Sequence, residues 1–531
     1  MPIRAVAAMA ANVTSGATPD EPGPYATSNG DIMHLADIGR YWAANRPHDI
    51  GLRFEGRSYD WLEIDRRTNE LAAGFAQLGV EPGDRVGLLM GNRPEWCQVA
   101  MAALKLDAVV VPMNVRFTAP EVAYVADDAD CRIVVSEKVF APALSGLGDR
   151  QVVLADELGG HSVDGATIVP SVGGGGNAAA FICYTSGTTG DPKGAVLTHE
   201  SWNAGSQGWA QAMALGPADR VLLPFPLAFT GGLAVWLFTY WAGGCVVLEQ
   251  DFDPTRSLEL IEQERITGLF AVPTIYQSMI EHPLWETADL SSWRVASSGG
   301  AAVPESLIRA VQDRGVPMAQ GYSLTEASAA GTVLAPHDAL RKLGSAGLAV
   351  IHGQIMIGDE NDRAVAAGEI GEILVGGPQI TSGYWNRPDE SAAALRNGWL
   401  HTGDLGRLDD EGYLYVVDRA KDMLISGGLN VYPAEIERLL AAMPGLAEVA
   451  VIGVADERWG ETPAVIAVGD SELVSADAVL AACADRLADY KYPRYLVVRD
   501  EALPRNMSGK ILKRNLQEEY ADVGTTHDPI R

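Results

Sequence analysis

The segment Tyr184-Thr185-Ser186-Gly187-Thr188-Thr189-Gly190-Asp191-Pro192-Lys193-Gly194 places hydroxyls, glycines and one lysine in a single loop. Glycines let backbone N–H groups turn toward an anion, hydroxyls add donors, and a lysine supplies charge. Together these can hold phosphate oxygens. The loop departs from the common G-x-x-x-x-G-K-[ST] pattern. Gly187 and Gly190 stand too close together, Lys193 follows Pro192, and Gly194 occupies the place of a magnesium-binding hydroxyl. A P-loop kinase or GTPase is therefore a poor reading, and a Gly/Ser/Thr-rich surface turn is the plain one. Residues further along the chain decide between a turn and a nucleotide grip.

Six more clusters could do chemistry. Ser297-Ser298-Gly299-Gly300-Ala301 is a second turn that lets backbone approach a ligand closely. Gly321-Tyr322-Ser323-Leu324-Thr325-Glu326 offers an aromatic face, hydroxyls and one carboxylate. Trp399 leads into Thr402-Gly403-Asp404, whose carboxylate could accept from ribose hydroxyls. Asp418-Arg419-Ala420-Lys421-Asp422 is a dense charge cluster, and Ser426-Gly427-Gly428 follows it. Pro504-Arg505-Asn506-Met507-Ser508-Gly509-Lys510 puts a lysine on a small loop near the C-terminus. Taken singly, each has an ordinary explanation: a Gly-Gly turn, a solvated charged face, a solubilising lysine.

The elements around these clusters follow from hydrophobic periodicity. An apolar run, Ala178 to Cys183, precedes the opening loop, and a helix-like segment from Thr198 to Met213 follows it. Upstream, Leu71, Phe75 and Leu78 recur at helical spacing, and Gly79 with Pro82-Gly83 ends that helix. Val86 to Met90 and Ala108 to Val111 are buried strands flanking a helix over Glu95 to Leu104. Arg132–Val135, Val152–Leu154, Val221–Leu223, Cys245–Leu248 and Leu269–Val272 continue the strands, with helices at Ser257–Glu264 and Glu305–Asp313. Such alternation implies α/β layers around largely parallel sheets. From about Ala364 short strands with turns between them imply a small antiparallel β region. After about Asp418 the pattern implies a small α+β domain. The expected organisation is a large multi-subdomain N-terminal domain, residues 1–418, and a small domain, residues 419–531. Residues 1–25 are expected to form a flexible tail.

Bulk properties bound the function. At 531 residues the chain is too long for one ordinary core, and 47% hydrophobic with 21% charged residues are globular values. A formal charge of -29 repels nucleic acid, so a polyanionic ligand must be met by local cations. Leu233–Ala242, the most apolar stretch, is far shorter than the ~20 residues of a membrane helix. Cys97, Cys131, Cys183, Cys245 and Cys483 have neither metal nor redox spacing, so buried reduced thiols and a cytoplasmic location are expected.

In order and wording, the clusters resemble the adenylate-forming superfamily of acyl-CoA synthetases, aryl-CoA ligases, luciferases and peptide-synthetase adenylation domains, from about Trp61 to Arg514. The resemblance implies a mobile C-terminal lid and a two-step reaction: a carboxylic acid is activated by ATP to an acyl-adenylate, then transferred to CoA. It implies that Thr185, Ser186, Gly187, Thr188, Thr189, Gly190 and Lys193 handle the β- and γ-phosphates. Gly299, Gly300 and Ala301 would lie along adenine and the acyl group, with Gly321 and Tyr322 packed at adenine. Thr325 would contact the α-phosphate, Glu326 would hold Mg²⁺, and Asp404 with Arg419 would bind ribose. Lys421 falls at the hinge, Gly427 and Gly428 line the pantetheine tunnel, and Lys510 is the catalytic lysine. The acyl pocket would draw on Ala228, Phe229, Gly231, Gly232, Val272, Ser298, Ser323, Ser328, Ala329 and Gly331.

Two departures bear on specificity. Many relatives carry a histidine two residues after the Pro-Leu pair, where this chain has Phe229, and many carry a glutamate where it has Leu429. Phe229 could line or gate the pocket, or be a neutral replacement; the small residues around it would leave room for a bulky or ring-containing acid. No aspartate near Phe229 could pair an amino group, so a hydrophobic or aromatic acid is expected. A carrier protein as acceptor, a reaction stopping at acyl-AMP and a homodimer are left open. A non-catalytic nucleotide-binding protein is disfavoured because Glu326, Asp404, Arg419 and Lys510 occur together.

Overall fold

The computed structural model describes residues 34–161, 163, 165–166, 175–185, 192–426, 429–456, 459–484, 486–505 and 511–531. Two large sheets dominate. One runs in the order 348–349, 332–334, 318–322, 295–299, 268–271, 220–223, 245–248, 50–54, 57–60. Its inner pairings are parallel, and both ends are closed by antiparallel strands. The other is ordered 151–154, 131–136, 85–89, 109–112, 179–185, 193–198, parallel except for the terminal hairpin. The expected α/β layers are present, and element ends differ from the sequence reading by a few residues. The helix that carries Leu71 and Phe75, for instance, spans Trp61–Gln77, because Asp60 accepts the Glu63 N–H and caps its start.

The largest core takes one face from each sheet, through Val86, Leu88 and Phe181 on one and Val221, Leu223 and Phe270 on the other. Helices Pro94–Lys105, His199–Ala212 and Thr230–Trp241 contribute to it. Helix Thr230–Trp241 contains the apolar stretch that was too short to cross a membrane. It is apolar on nearly every side because the core encloses it. Among the described residues no helix is long and apolar enough to span a bilayer.

A third sheet, ordered 354–358, 371–376, 399–408, 395–396 with 414–419 beside 399–408, is antiparallel throughout, as expected from Ala364 onward. A fourth joins 429–431, 424–426, 460–469 and 446–456, with 495–499 parallel to 460–469. The two cores on that sheet draw only on residues from Leu424 onward. Ala420–Asp422, with Lys421 exposed, is the turn that carries the chain from the third sheet to the fourth. All five cysteines are free and buried, and burial pushes the thiols of Cys131, Cys183 and Cys245 up to about 12.

Candidate active site

Thr185 ends the strand Ala179–Thr185 and pairs in register with Lys193, the first residue of the next strand. Its hydroxyl donates to the Lys193 carbonyl at 3.4 Å. The hairpin therefore clamps the base of the glycine-rich loop. Ser186, Gly187, Thr188, Thr189 and Gly190 lie outside the described residues, as do Gly427, Gly428 and Lys510. The Lys193 ammonium sits 3.7 Å from Glu390 Oε1 and 5.7 Å above the Tyr384 ring.

Parallel strands Val295–Gly299 and Met318–Tyr322 end side by side, with Gly299 opposite Gly321. A Cβ on Gly299 would stand 2.6 Å from the Gly321 carbonyl oxygen, so only glycine allows that approach. Gly300 has φ +78° and carries the chain to exposed Ala301. Tyr322 closes its strand, and a turn of 3-10 helix, Thr325–Ala327, follows. Ser328 and Ala329 then adopt φ 49° and 55°. Two successive non-glycine residues in the left-handed region are costly, and such strain concentrates at functional sites.

Two polar links cross this crest. The Tyr322 hydroxyl donates to Asp404 Oδ2 at 2.7 Å, while Arg419 Nε meets Asp404 Oδ1 at 3.0 Å. Burial, reinforced by the Asp404 charge, holds the Tyr322 hydroxyl well above its ordinary pKa, so it stays a donor. Asp404 and Arg419 are brought together because their strands pair antiparallel with those residues in register. Each carboxylate oxygen keeps a further lone pair for a ligand hydroxyl. In the second link the Tyr384 hydroxyl donates to Glu326 Oε1 at 2.9 Å, and the Thr381 N–H donates to the Glu326 carbonyl at 2.6 Å. Burial, with Glu326 adding to it, raises the Tyr384 pKa as well. Glu326 is half-buried and makes no ion pair among the described residues. A carboxylate with an uncompensated charge suits a hard cation such as Mg²⁺.

Thr325 Oγ1 lies 3.0 Å from Thr230 Oγ1, which ties the crest to the first turn of helix Thr230–Trp241. Ala228 and Phe229 are half-buried just before that helix. Gly231 is exposed, and Gly232 is packed on the Pro226 carbonyl, which a Cβ would meet at 2.3 Å. The absent side chain of Gly232 is thus taken up by backbone rather than by open space. Val272 precedes helix Pro273–Ile280 and stands 3.6 Å from the Cβ position of Gly300. Ser323 is half-buried beside Tyr322, and Gly331 abuts the Tyr322 carbonyl. The hydroxyls of Ser298 and Ser328 are buried with no hydrogen-bond partner among the described residues.

Tyr384 and Thr230, which touch Glu326 and Thr325, were not legible in the sequence. Tyr384 stands in Ser382-Gly383-Tyr384-Trp385-Asn386, an aromatic turn before a helix, which was the one available signal. A buried trio of His34, Asp107 and His199 also has metal-ligand chemistry. His34 Nε2 lies 2.9 Å from Asp107 Oδ1, and the two imidazoles lie 3.5 Å apart between centroids, tilted by 34°. Both Nδ1 atoms accept backbone N–H bonds, from Leu35 and Ala36, which leaves the ring protons on Nε2. One ligand atom from each of the three lies within 4.8 Å of the others, and the trio ties the segment around His34 to the start of helix His199–Ala212.

The fold and the two polar links define a nucleotide-handling enzyme with a separately cored C-terminal region. A model of the AMP-binding enzyme matches residues 40–385, and one of the AMP-binding enzyme C-terminal domain matches residues 435–510. The chain belongs to the AMP-binding enzyme family, as the resemblance implied. It is 40% identical to the long-chain-fatty-acid–CoA ligase FadD13 of Mycobacterium tuberculosis over 87% of this chain and 93% of that protein. It is 39% identical to a feruloyl-CoA synthase of Amycolatopsis sp over 89% of this chain and 96% of that one. Among solved structures, the O-succinylbenzoate coenzyme A synthetase of Bacillus subtilis in complex with ATP and magnesium ion superposes with a TM-score of 0.84. It shares 32% identity, covering 91% of this chain and 99% of that one.

Proposed function

We propose that this protein is an AMP-forming acid–thiol ligase. It joins a hydrophobic or ring-containing carboxylic acid to the α-phosphorus of ATP, releases pyrophosphate, and transfers the acyl group to the thiol of CoA. The observation that carries this reading is the Asp404 carboxylate held between Tyr322 and Arg419, together with Glu326, which accepts from Tyr384 and makes no ion pair among the described residues. That arrangement supplies a seat for ribose hydroxyls and a cation-binding carboxylate. The CoA ligases among its relatives support the second step.

In the first step two anions must meet, so the chief task is alignment and charge neutralisation. Thr185, Lys193 and the loop between them bind the departing pyrophosphate. Glu326, oriented by Tyr384, would hold Mg²⁺, which when bound would supply positive charge near the phosphates. Thr325 contacts the α-phosphate, and Lys510 bridges the acid carboxylate and an α-phosphate oxygen as charge builds. A carboxylate oxygen bonds to phosphorus as the bond to pyrophosphate breaks. In the second step the thiol, losing its proton, bonds to the acyl carbon and AMP leaves.

Lys510 would obstruct the thiol, so residues 419–531 turn about Lys421 and present Gly427 and Gly428 instead. The exposed turn at Lys421 and the separate cores beyond Leu424 support that division. Buried, free cysteines fit a cytoplasmic setting. An acyl carrier protein as acceptor, or a homodimer, is required by no step of this scheme.

Incubation with ATP, Mg²⁺ and fatty, aryl and polycyclic acids, with and without CoA, tests the proposal by mass spectrometry. Acyl-CoA and AMP are expected. Acyl-AMP that persists unchanged when CoA is added overturns the CoA step.

A further inference from the structure

We infer that Trp209 forms the floor of the acyl pocket and sets its depth, so that the acid accepted is compact and ring-bearing rather than a long alkyl chain. The inference rests on the acid-activating reading above. Three chain segments that carry candidate pocket residues bring four groups to Trp209. Gly321 lies directly on the indole: a Cβ there would come within 2.5 Å of its Cη2. The indole N–H donates to the Ala329 carbonyl at 2.7 Å, tying the ring to the strained Ser328–Ala329 pair. Phe238, from the helix that begins at Thr230, packs on the indole at 6.0 Å between ring centroids. Phe270, two residues before Val272, packs edge-on at 6.3 Å.

Trp209 is 9% exposed and stands on helix His199–Ala212. One turn earlier on that helix, Gly205 sits under the same segment, its Cβ position 3.0 Å from the Ser328 carbonyl oxygen and 3.3 Å from Ala330. The helix therefore closes the space below Gly321, Ser328 and Ala329, and the indole fills the place where a longer acyl chain would continue. Beyond the indole, Phe238 and Phe270 pack on each other at 4.8 Å. The tryptophan is pinned by a hydrogen bond and by two rings, so it cannot swing aside without breaking both kinds of contact. A rigid aromatic floor suits a flat ring, which stacks or meets it edge-on, and obstructs a chain that must pass it.

The test is adenylation kcat/KM, by ATP–pyrophosphate exchange, for an arylpropenoic acid and for straight-chain acids from hexanoic to hexadecanoic, in wild type and Trp209→Ala. Wild type should favour the aryl acid over hexadecanoic acid by about 100-fold or more, and Trp209→Ala should narrow that ratio by about 10-fold or more. A pocket wall shifts the length limit, whereas a merely structural tryptophan would lower every rate alike. If Trp209→Ala does not fold, Trp209→Leu and the wild-type length series carry the same test. Wild-type enzyme that uses hexadecanoic acid as well as the aryl acid overturns the inference. So does a variant whose length limit is unmoved. Wild-type enzyme that activates no acid at all overturns instead the functional reading on which the inference rests.

Discussion

The nucleotide half and the acyl half of this site are built from different materials. The nucleotide half consists of charged and hydroxyl groups locked in pairs: Tyr322 and Arg419 on Asp404, Tyr384 on Glu326, Lys193 near Glu390. The proposed acyl half is apolar surface and bare backbone: Phe229, Val272, Ala329 and the indole of Trp209. Every enzyme that activates a carboxylate with ATP meets the same triphosphate and the same ribose, so the first half admits few solutions. The acid differs from one enzyme to another, and a hydrophobic wall accepts many substitutions of similar volume. The contrast teaches that the reaction can be read from paired polar groups, while the substrate must be read from packing.

The largest effect should come from Lys510. Replacement by alanine is expected to slow adenylation by ~10²–10³-fold or more, as for loss of a preorganised donor. Undiminished ATP–pyrophosphate exchange would remove Lys510 from the chemistry. Lys421→Pro should come next, and in one half-reaction only. Proline freezes φ at the turn between the third and fourth sheets, so adenylate should form while thioester yield collapses. A normal acyl-CoA yield from that variant would refute the hinge.

Tyr384→Phe probes the nucleotide half more gently. It deletes one charge-assisted bond to Glu326, and about a 10-fold loss in kcat/KM is expected, as for roughly 1.5 kcal/mol. The apparent Mg²⁺ requirement should rise with it, while the ranking of acids should not change. A changed ranking would blur the division between the two halves.

The last effect concerns stability rather than rate. His199 opens the helix that carries Trp209, and burial, with His34 adding to it, holds its pKa down at about 3. The unfolded chain titrates near 6.5, so between those values it binds more protons than the folded one. Stability contributed by neutral His199 is therefore complete above about 6.5 and is lost as the pH falls toward 3. His199→Gln should flatten this slope, sparing about 3 kcal/mol or less of the stability lost between neutral pH and about pH 4, measured by urea unfolding. An unchanged slope would show that the imidazole is not the proton acceptor.

The sequence supported the α/β layers, the antiparallel region and most strands because apolar periodicity is a local property. The residues proposed as the nucleotide half also sit in short polar clusters, of which the structure brings Tyr322, Asp404 and Arg419 into contact. Tyr384 escaped because its partner Glu326 lies 58 residues away in the chain. Trp209 escaped because a tryptophan in an apolar helix reads as core, and only its bond to Ala329, 120 residues distant, places it at the pocket. The reading of Gly232 as open space met the Pro226 carbonyl, which no local pattern announces.

Residue identity and order by themselves determined the polar inventory: which carboxylates, hydroxyls and lysines exist, and in what succession. That is enough to specify a reaction, because the chemistry of ATP demands those groups. The tertiary structure decided which of them touch and what fills the space between. Strand order and helix packing bring together residues separated by tens to hundreds of positions, and burial alone determines whether a side chain becomes a wall, a floor or a partner. Asp404 became a shared acceptor because its strand pairs in register with that of Arg419, and Trp209 is proposed as a floor because three separate segments close on it.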